Sequence, residues 1–330
     1  MRLTLTKMEN SSVDTTPKNE SVGENLHKMD LYWKIGYNFS FFLIIVSVAT
    51  IVANGLLLLV LYKDPLRRFR TPLCNILVSL SATDLLAAFT YEPVSASCFI
   101  MAYFNNPSTK TCLYYVQNYL SAVTRTIWKM SPLHIFALTI LQFLVVALPL
   151  KLARNITNNY TIAVSVFIWV YSTVFEIIES TLPKNSRVFF NMTLTDIIIH
   201  NLCIPSLTLF VYILLYREFK RRSAQGFVIR SASQEQASKE KRRLHCQQKL
   251  LKINLLLIVI LFLCTLPYGW IQLFYLRFNL RVFEFQFIPI ATFSLKMMLH
   301  TIVFAWRLPH YRKAFTMVWS SKSKVTFRNA

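Results

Sequence analysis

Ionisable side chains stand inside long apolar runs at Asp84, Arg125, Lys129, Glu176, Glu179, Lys296 and His300. A charged group in an apolar medium needs a partner or a polar cavity, so each of these marks a place where chemistry is possible. Lys296 and His300 are four residues apart, as are Arg125 and Lys129, while Glu176 and Glu179 are three apart. On a helix each pair therefore shares one face. Three kinds of chemistry fit these residue types. One is ion pairing between helices, and the second is a gating or proton-linked change at His300. The third is the clamping of an anionic ligand, such as a carboxylate or phosphate, by a basic group left free. Glu92 and Glu284 would then draw basic groups instead. Catalytic and metal-binding patterns are missing: Cys74, Cys98, Cys112, Cys203, Cys246 and Cys264 show no CxxC or Cys/His spacing. The histidines, His27, His134, His200, His245, His300 and His310, form no cluster of the kind that membrane hydrolases use. With only five glycines, Gly-rich cofactor loops are not expected either. Neither enzyme activity, a metal nor a cofactor is predicted.

The runs that carry these residues decide the fold class. Of 330 residues 54% are hydrophobic and only 15% charged, against ~25% in a soluble domain. The apolar residues fall into blocks at about 39–62, 72–101, 113–150, 160–182, 195–216, 253–275 and 282–306. Each is long enough to cross roughly 30 Å of hydrocarbon as a helix, and lipid leaves no other way to pair the backbone of such a segment. The prediction is an all-α membrane protein, a seven-transmembrane helix bundle. No internal repeat is visible, which counts against an inverted-repeat transporter.

The net charge of +21 has a direction. The turn at 63–70, the 151–154 loop, the 217–252 stretch and the 307–328 tail together hold 23 Lys and Arg, whereas the three opposing loops hold five. Basic loops stay in the cytoplasm, so the N-terminus is expected outside the cell and the C-terminus inside. The predicted organisation is an extracellular tail (1–36), the transmembrane domain (37–306) and a cytoplasmic amphipathic helix with tail (307–330). The first 36 residues lack an apolar signal-peptide core, so the first helix is expected to act as its own insertion signal. Membrane topology also explains the basic charge without nucleic acid, and anionic membrane lipid is the expected counterpart. Sequons at Asn10, Asn19 and Asn191 face outside and are candidate glycosylation sites; those at Asn155 and Asn159 fall inside and are expected to be bare.

Several landmarks occur in a telling order: Asn54-Gly55 in helix one, Thr71-Pro72 leading to Asp84 in helix two, and Trp169 in helix four. Pro205 follows in helix five and Cys264-Thr265-Leu266-Pro267 in helix six, with an aromatic and basic run from Phe304 to Phe315 after helix seven. Together, over about 37–318, they resemble the rhodopsin-like (class A) G-protein-coupled receptors, of which this chain would be a divergent, orphan-type member. The resemblance implies a cell-membrane receptor whose extracellular ligand, of class unidentified, shifts the helices and opens the cytoplasmic face to a heterotrimeric G protein. It implies a ligand pocket in the outer half, where Arg125, Lys129, Glu176 and Glu179 lie. It brings Lys296 and His300 to Asp84 and Ser131, the polar pocket where many relatives hold a sodium ion, and suggests that the Lys296 ammonium replaces the ion and pairs with Asp84. The implied G-protein face comprises Gln142, Phe143, Arg221, Arg222, Arg242 and Arg243.

The departures from the family pattern are as informative. Helix three has Leu141-Gln142-Phe143 where the family carries an acid-Arg-Tyr triplet. Helix seven has His300-Thr301-Ile302-Val303-Phe304 in place of Asn-Pro-x-x-Tyr, and Thr265 replaces the tryptophan of helix six. No cysteine lies between Leu182 and Asn201 for the usual disulfide. Cys112 either pairs with Cys98 across the first outer loop, or both remain thiols. An opsin is not expected, because opsins place their lysine where this chain has Ser294. Loss of the helix-three arginine leaves open a receptor-fold scaffold or dimer partner without G-protein coupling, and a transporter stays as the more distant alternative.

Overall fold

The computed structural model describes residues 19–65, 71–106, 108–148, 157–183, 186–228, 234–278, 287–307 and 309–319. They form eight helices and, among the described residues, no strand. Helix α1 spans Asn19–Lys63 and α2 Pro72–Tyr103. Helix α3 runs through 109–147 as Thr109–Tyr115, a π-helical turn Val116–Leu120 and Ser121–Ala147. Helix α4 is Asn158–Thr181. Helix α5 runs through 187–228 as Arg187–Asp196, a π-helical turn Ile197–Cys203 and Ile204–Val228. Helix α6 is Gln234–Phe278, α7 Phe287–Arg307 and α8 Pro309–Trp319. The first six are long and apolar enough to cross a membrane by length and composition, and α7 contributes the shorter apolar stretch Phe287–Val303. Outward-facing Ile45, Phe167 and Leu263 are about two-thirds exposed, as a lipid-facing surface requires. The end at which α1 begins is termed the outer end, and the end carrying α8 the inner end.

Helix starts follow local chemistry. The Thr71 hydroxyl accepts the Cys74 N–H with Pro72 at the first turn of α2, and Thr157 does the same for Tyr160 at the start of α4. Hydropathy places several ends too far inward. Helix α1 starts at Asn19 rather than near Phe39, inside the segment assigned to the tail, and α6 starts at Gln234 rather than near Ile253. Gln234–Lys252 is rich in Glu, Gln, Lys and Arg, all strong helix formers, so the helix continues where the apolar signal stops. At 45 residues each, α1 and α6 span ~68 Å, well beyond the hydrocarbon.

The inner half holds the main apolar core, built on Leu80 of α2, Ile135 and Leu138 of α3, Leu215 of α5, and Leu257 and Leu261 of α6. Since lipid is as apolar as these side chains, their gain over lipid contact comes from close packing. Polar contacts add specificity: Ser47 donates to the Ala88 carbonyl (2.8 Å), Thr301 donates to Asn54, and Thr139 donates to Asn254 (3.2 Å). Trp169 Nε1 donates to Ser79 Oγ (3.0 Å), which in turn meets His134 Nε2 at 2.7 Å, tying α4 to α2 and α3. Helix α8 turns Tyr311 and Ala314 onto Leu57 and Val60 of α1, leaving Arg312 and Lys313 exposed. Burial pushes the Tyr311 hydroxyl up to about 12.

Cys98, near the end of α2, and Cys112, in the first turns of α3, form a disulfide with a Cα–Cα distance of 5.6 Å. The 14-residue separation makes this a short staple, worth about 3 kcal/mol by the loop-closure relation. Cys98→Ser is expected to lower stability by about that amount. In the wild type, iodoacetamide added without reductant is expected to leave both residues unmodified in peptide mass spectra; alkylation of both would contradict the bridge.

Candidate functional site

The buried charges gather in two places. The first lies in the outer half, where α3, α4 and α5 meet. Arg125 and Lys129 project from α3 on one face, as their spacing dictates, and both reach Glu176 of α4. Arg125 contacts Glu176 Oε1 through Nε (2.8 Å) and Nη2 (2.6 Å), and Lys129 Nζ holds Oε2 at 2.6 Å. Lys129 also lies 3.4 Å from Glu179 Oε2 and 3.5 Å from Asp196 Oδ2. Thr193 donates to Glu179 Oε1 (3.0 Å), and His200 Nδ1 meets Asp196 Oδ1 at 2.7 Å. Lys129, Glu176, Glu179 and His200 are almost wholly buried, whereas the Arg125 side chain is 38% exposed. Desolvating each ion costs several kcal/mol, which only short, multiply bonded contacts repay. All four ligand-pocket candidates therefore meet in one cluster, but as one another's partners: neither basic group is free to clamp an anion in this arrangement.

Asp196 and His200 complete the cluster, and sequence reasoning passed them over. A signal was present, since they are four residues apart at the start of an apolar block. Their placement depends on the π-helical turn Ile197–Cys203. Pro205 follows that turn and has no N–H to offer the carbonyl of Asn201, so an α-helical bond is missing there. A π turn accommodates such a defect and commonly marks a functional position.

The second group lies at mid-bundle. Asp84, Ser131, Lys296 and His300 are all buried, at 1% exposure or less. The expected Asp84–Lys296 bridge is corrected by the geometry. Among the described residues Lys296 has no ion pair or hydrogen-bond partner, and its Nζ stands 4.2 Å from the centre of the Phe293 ring. His300, one turn further along α7, is the group that approaches Asp84, at 4.0 Å. The register of α7 turns the histidine toward the carboxylate, and the ammonium takes the electron-rich face of the ring instead. Phe293 is itself stacked on Trp128 (centroids 4.3 Å apart), with Tyr268 edge-on to both. The carboxylate of Asp84, the Ser131 hydroxyl and both nitrogens of His300 also lack hydrogen-bond partners. A buried ammonium without a hydrogen-bond partner carries a desolvation cost that an apolar side chain does not. Lys296→Met is thus expected to hold or raise the melting temperature of the purified protein; a clear fall would show that Asp84 depends on the ammonium.

At the inner end, Gln142 lines a small apolar cleft of about 30 Å³ with Leu73, Val145, Val146, Leu215 and Leu250. Phe143 packs against the core beside it. Arg222 of α5 donates to the Ala147 carbonyl (2.6 Å) and the Leu148 carbonyl (3.4 Å) at the end of α3, and is steadied by Glu218 (3.0 Å). The last carbonyls of a helix lack partners and carry partial negative charge, so an arginine there both caps and clamps. Arg221 is exposed and paired with Glu218 at 2.9 Å. The side chains of Arg242 and Arg243 lie outside the described residues, as do Asn10, Glu284 and the side chain of Asn19. Asn191 is exposed on α5 toward the outer end.

No protein-family model matches the chain, and no curated protein sequence matches it. Among solved structures, the crystal structure of squid rhodopsin superposes with a TM-score of 0.71 at 13% identity, covering 96% of this chain and 89% of that one. The chain thus has the fold of a rhodopsin-like receptor, an all-helical, multi-pass membrane bundle.

Proposed function

We propose that this protein is a cell-membrane receptor which answers an extracellular stimulus by opening its inner end to a heterotrimeric G protein. The observation that carries the reading is the apolar cleft at the inner end, floored by Gln142 and bounded by α3, α5 and α6. A helical protein terminus needs a wider cleft than this, and the widening would come from α6, which contains Pro267 within its length. A stimulus acts by binding one packing of the bundle better than the other. The outer end faces the extracellular medium, as the basic asymmetry predicts, which leaves Asn191 available to glycosylation. Arg312 and Lys313 on the free face of α8 meet anionic lipid.

One observation favours a second reading, a receptor-fold scaffold without coupling: a neutral glutamine, Gln142, stands on α3 at the inner end, where the family's arginine is expected. Second-messenger assays on cells expressing wild type and Gln142→Arg at equal surface level decide between the two. A constitutive or ligand-dependent response in the wild type supports the receptor, and a response confined to Gln142→Arg supports the scaffold. Silence of both across the Gα families and a broad ligand panel supports the scaffold.

A further inference from the structure

Glu92 of α2 is 1% exposed, and neither of its carboxylate oxygens has a hydrogen-bond partner among the described residues. It stands about two turns outward of Asp84 on the same helix, and Ser294 of α7 approaches it. Helices α2 and α7 run in opposite directions, so Lys296 falls between Ser294, at the level of Glu92, and His300, at the level of Asp84. By formal charge this compartment holds two carboxylates and one ammonium, and it is short of one cation. The ammonium it does hold rests on an aromatic ring. Lys296 Nζ and the Trp128 ring both lie against Phe293, at 4.2 and 4.3 Å from its centre.

Further rings stand around this one. Tyr91 of α2 is edge-on to Trp128 at 6.3 Å, and Tyr268 of α6 is edge-on to it at 5.5 Å. All three are only half-buried, although their contacts place them inside the bundle, so the surface they leave uncovered lines a space between α2, α3 and α6. Arg125, one turn outward of Trp128 on α3 and 38% exposed, stands at its outer mouth. We propose that this space receives the protonated amino group of a small organic ligand, with Glu92 as counter-ion and the Tyr91 and Trp128 rings as its apolar wall. A turn of the flexible Glu92 side chain brings the carboxylate to the ammonium, whose N–H groups supply the hydrogen bonds that its oxygens lack. The rings add cation–π attraction and do not suit a metal ion, which needs oxygen ligands on all sides. An anion is disfavoured, since Arg125 already gives Nε and Nη2 to Glu176. That the amine acts as a stimulus rests on the receptor reading; its binding does not.

Thermal unfolding of the full-length protein in detergent, titrated with benzylammonium and phenethylammonium, tests the site. Phenethyl alcohol and hydrocinnamate serve as the neutral and anionic counterparts. Each amine is expected to raise Tm saturably, by about 2 °C at roughly tenfold excess over its dissociation constant, and the counterparts are not. Glu92→Gln keeps the side-chain volume and removes an unpaired charge, so it is expected to fold and to weaken the amines about tenfold or more. Tyr91→Leu is expected to weaken them about fivefold, and it carries the test if Glu92→Gln does not fold. No saturable shift with either amine, equal shifts with the counterparts, or a shift unchanged in both variants would overturn the site. Loss of binding in Glu179→Gln with retention in Glu92→Gln would put the amine in the outer cluster and overturn it as well. In cells, a G-protein response to the amine that Glu92→Gln abolishes supports its role as a stimulus. Binding without any response overturns that role and leaves the site standing on the melting data.

Discussion

Replacing Lys129 by methionine is expected to destabilise the protein by about 3–5 kcal/mol, the usual cost of stripping one partner from a buried ion pair. The reason lies in its position: one ammonium, 3% exposed, faces carboxylates of Glu176, Glu179 and Asp196 at 2.6, 3.4 and 3.5 Å. Without it Arg125 alone opposes three acids, and it reaches only Glu176. The cluster joins α3 to α4 and α5, so their outer halves should loosen together. Tm of purified protein and the fraction reaching the cell surface are the measurements, and both should drop. Adding Glu176→Gln to Lys129→Met should recover part of the loss, because contacting residues couple by roughly 0.5–3 kcal/mol. Equal losses in the single and double variants would mean that the packing of the lysine stem, and not its charge, is what matters.

Arg222→Leu is expected to shift the inner end toward its open arrangement about tenfold or more. Hydrogen bonds to a charged group contribute about 1.5–3 kcal/mol, and each 1.4 kcal/mol is a tenfold change in a two-state equilibrium. Arg222 spends its guanidinium on the Ala147 and Leu148 carbonyls, so it holds α5 against the end of α3. An environment-sensitive fluorophore on Leu250→Cys, placed in the cleft wall, reports the change. A shift toward a more solvent-exposed spectrum in Arg222→Leu is expected, and an unchanged spectrum would mean that the α3–α5 contact does not restrain the cleft.

How much of this was visible in the sequence differs from group to group. Arg125, Lys129, Glu176 and Glu179 were legible because apolar surroundings and helical spacing both act locally, and charges so placed have to meet. Asp196 and His200 were not, because Asp196 sits at the edge of an apolar block and looks like the end of a loop. Only the continuation of α5 back to Arg187, through a π turn caused by a proline further on, carries it into the cluster. Lys296 shows the opposite limit. Its depth was right, but residues on a helix are ~100° apart, and a small difference in register turned His300 rather than Lys296 toward Asp84. The polar extensions of α1 and α6 escaped because hydropathy reports the bilayer and not the helix.

The proposal that this bundle engages a G protein at the cleft lined by Gln142 and Leu250 is open to a direct test. Recruitment of minimal Gα subunits to membranes containing surface-matched wild type and Arg222→Leu tests it most directly. Recruitment of at least one Gα class is expected, stronger with Arg222→Leu and abolished when Leu250→Arg blocks the cleft. No recruitment of any class by either protein, with both correctly folded at the cell surface, would contradict it.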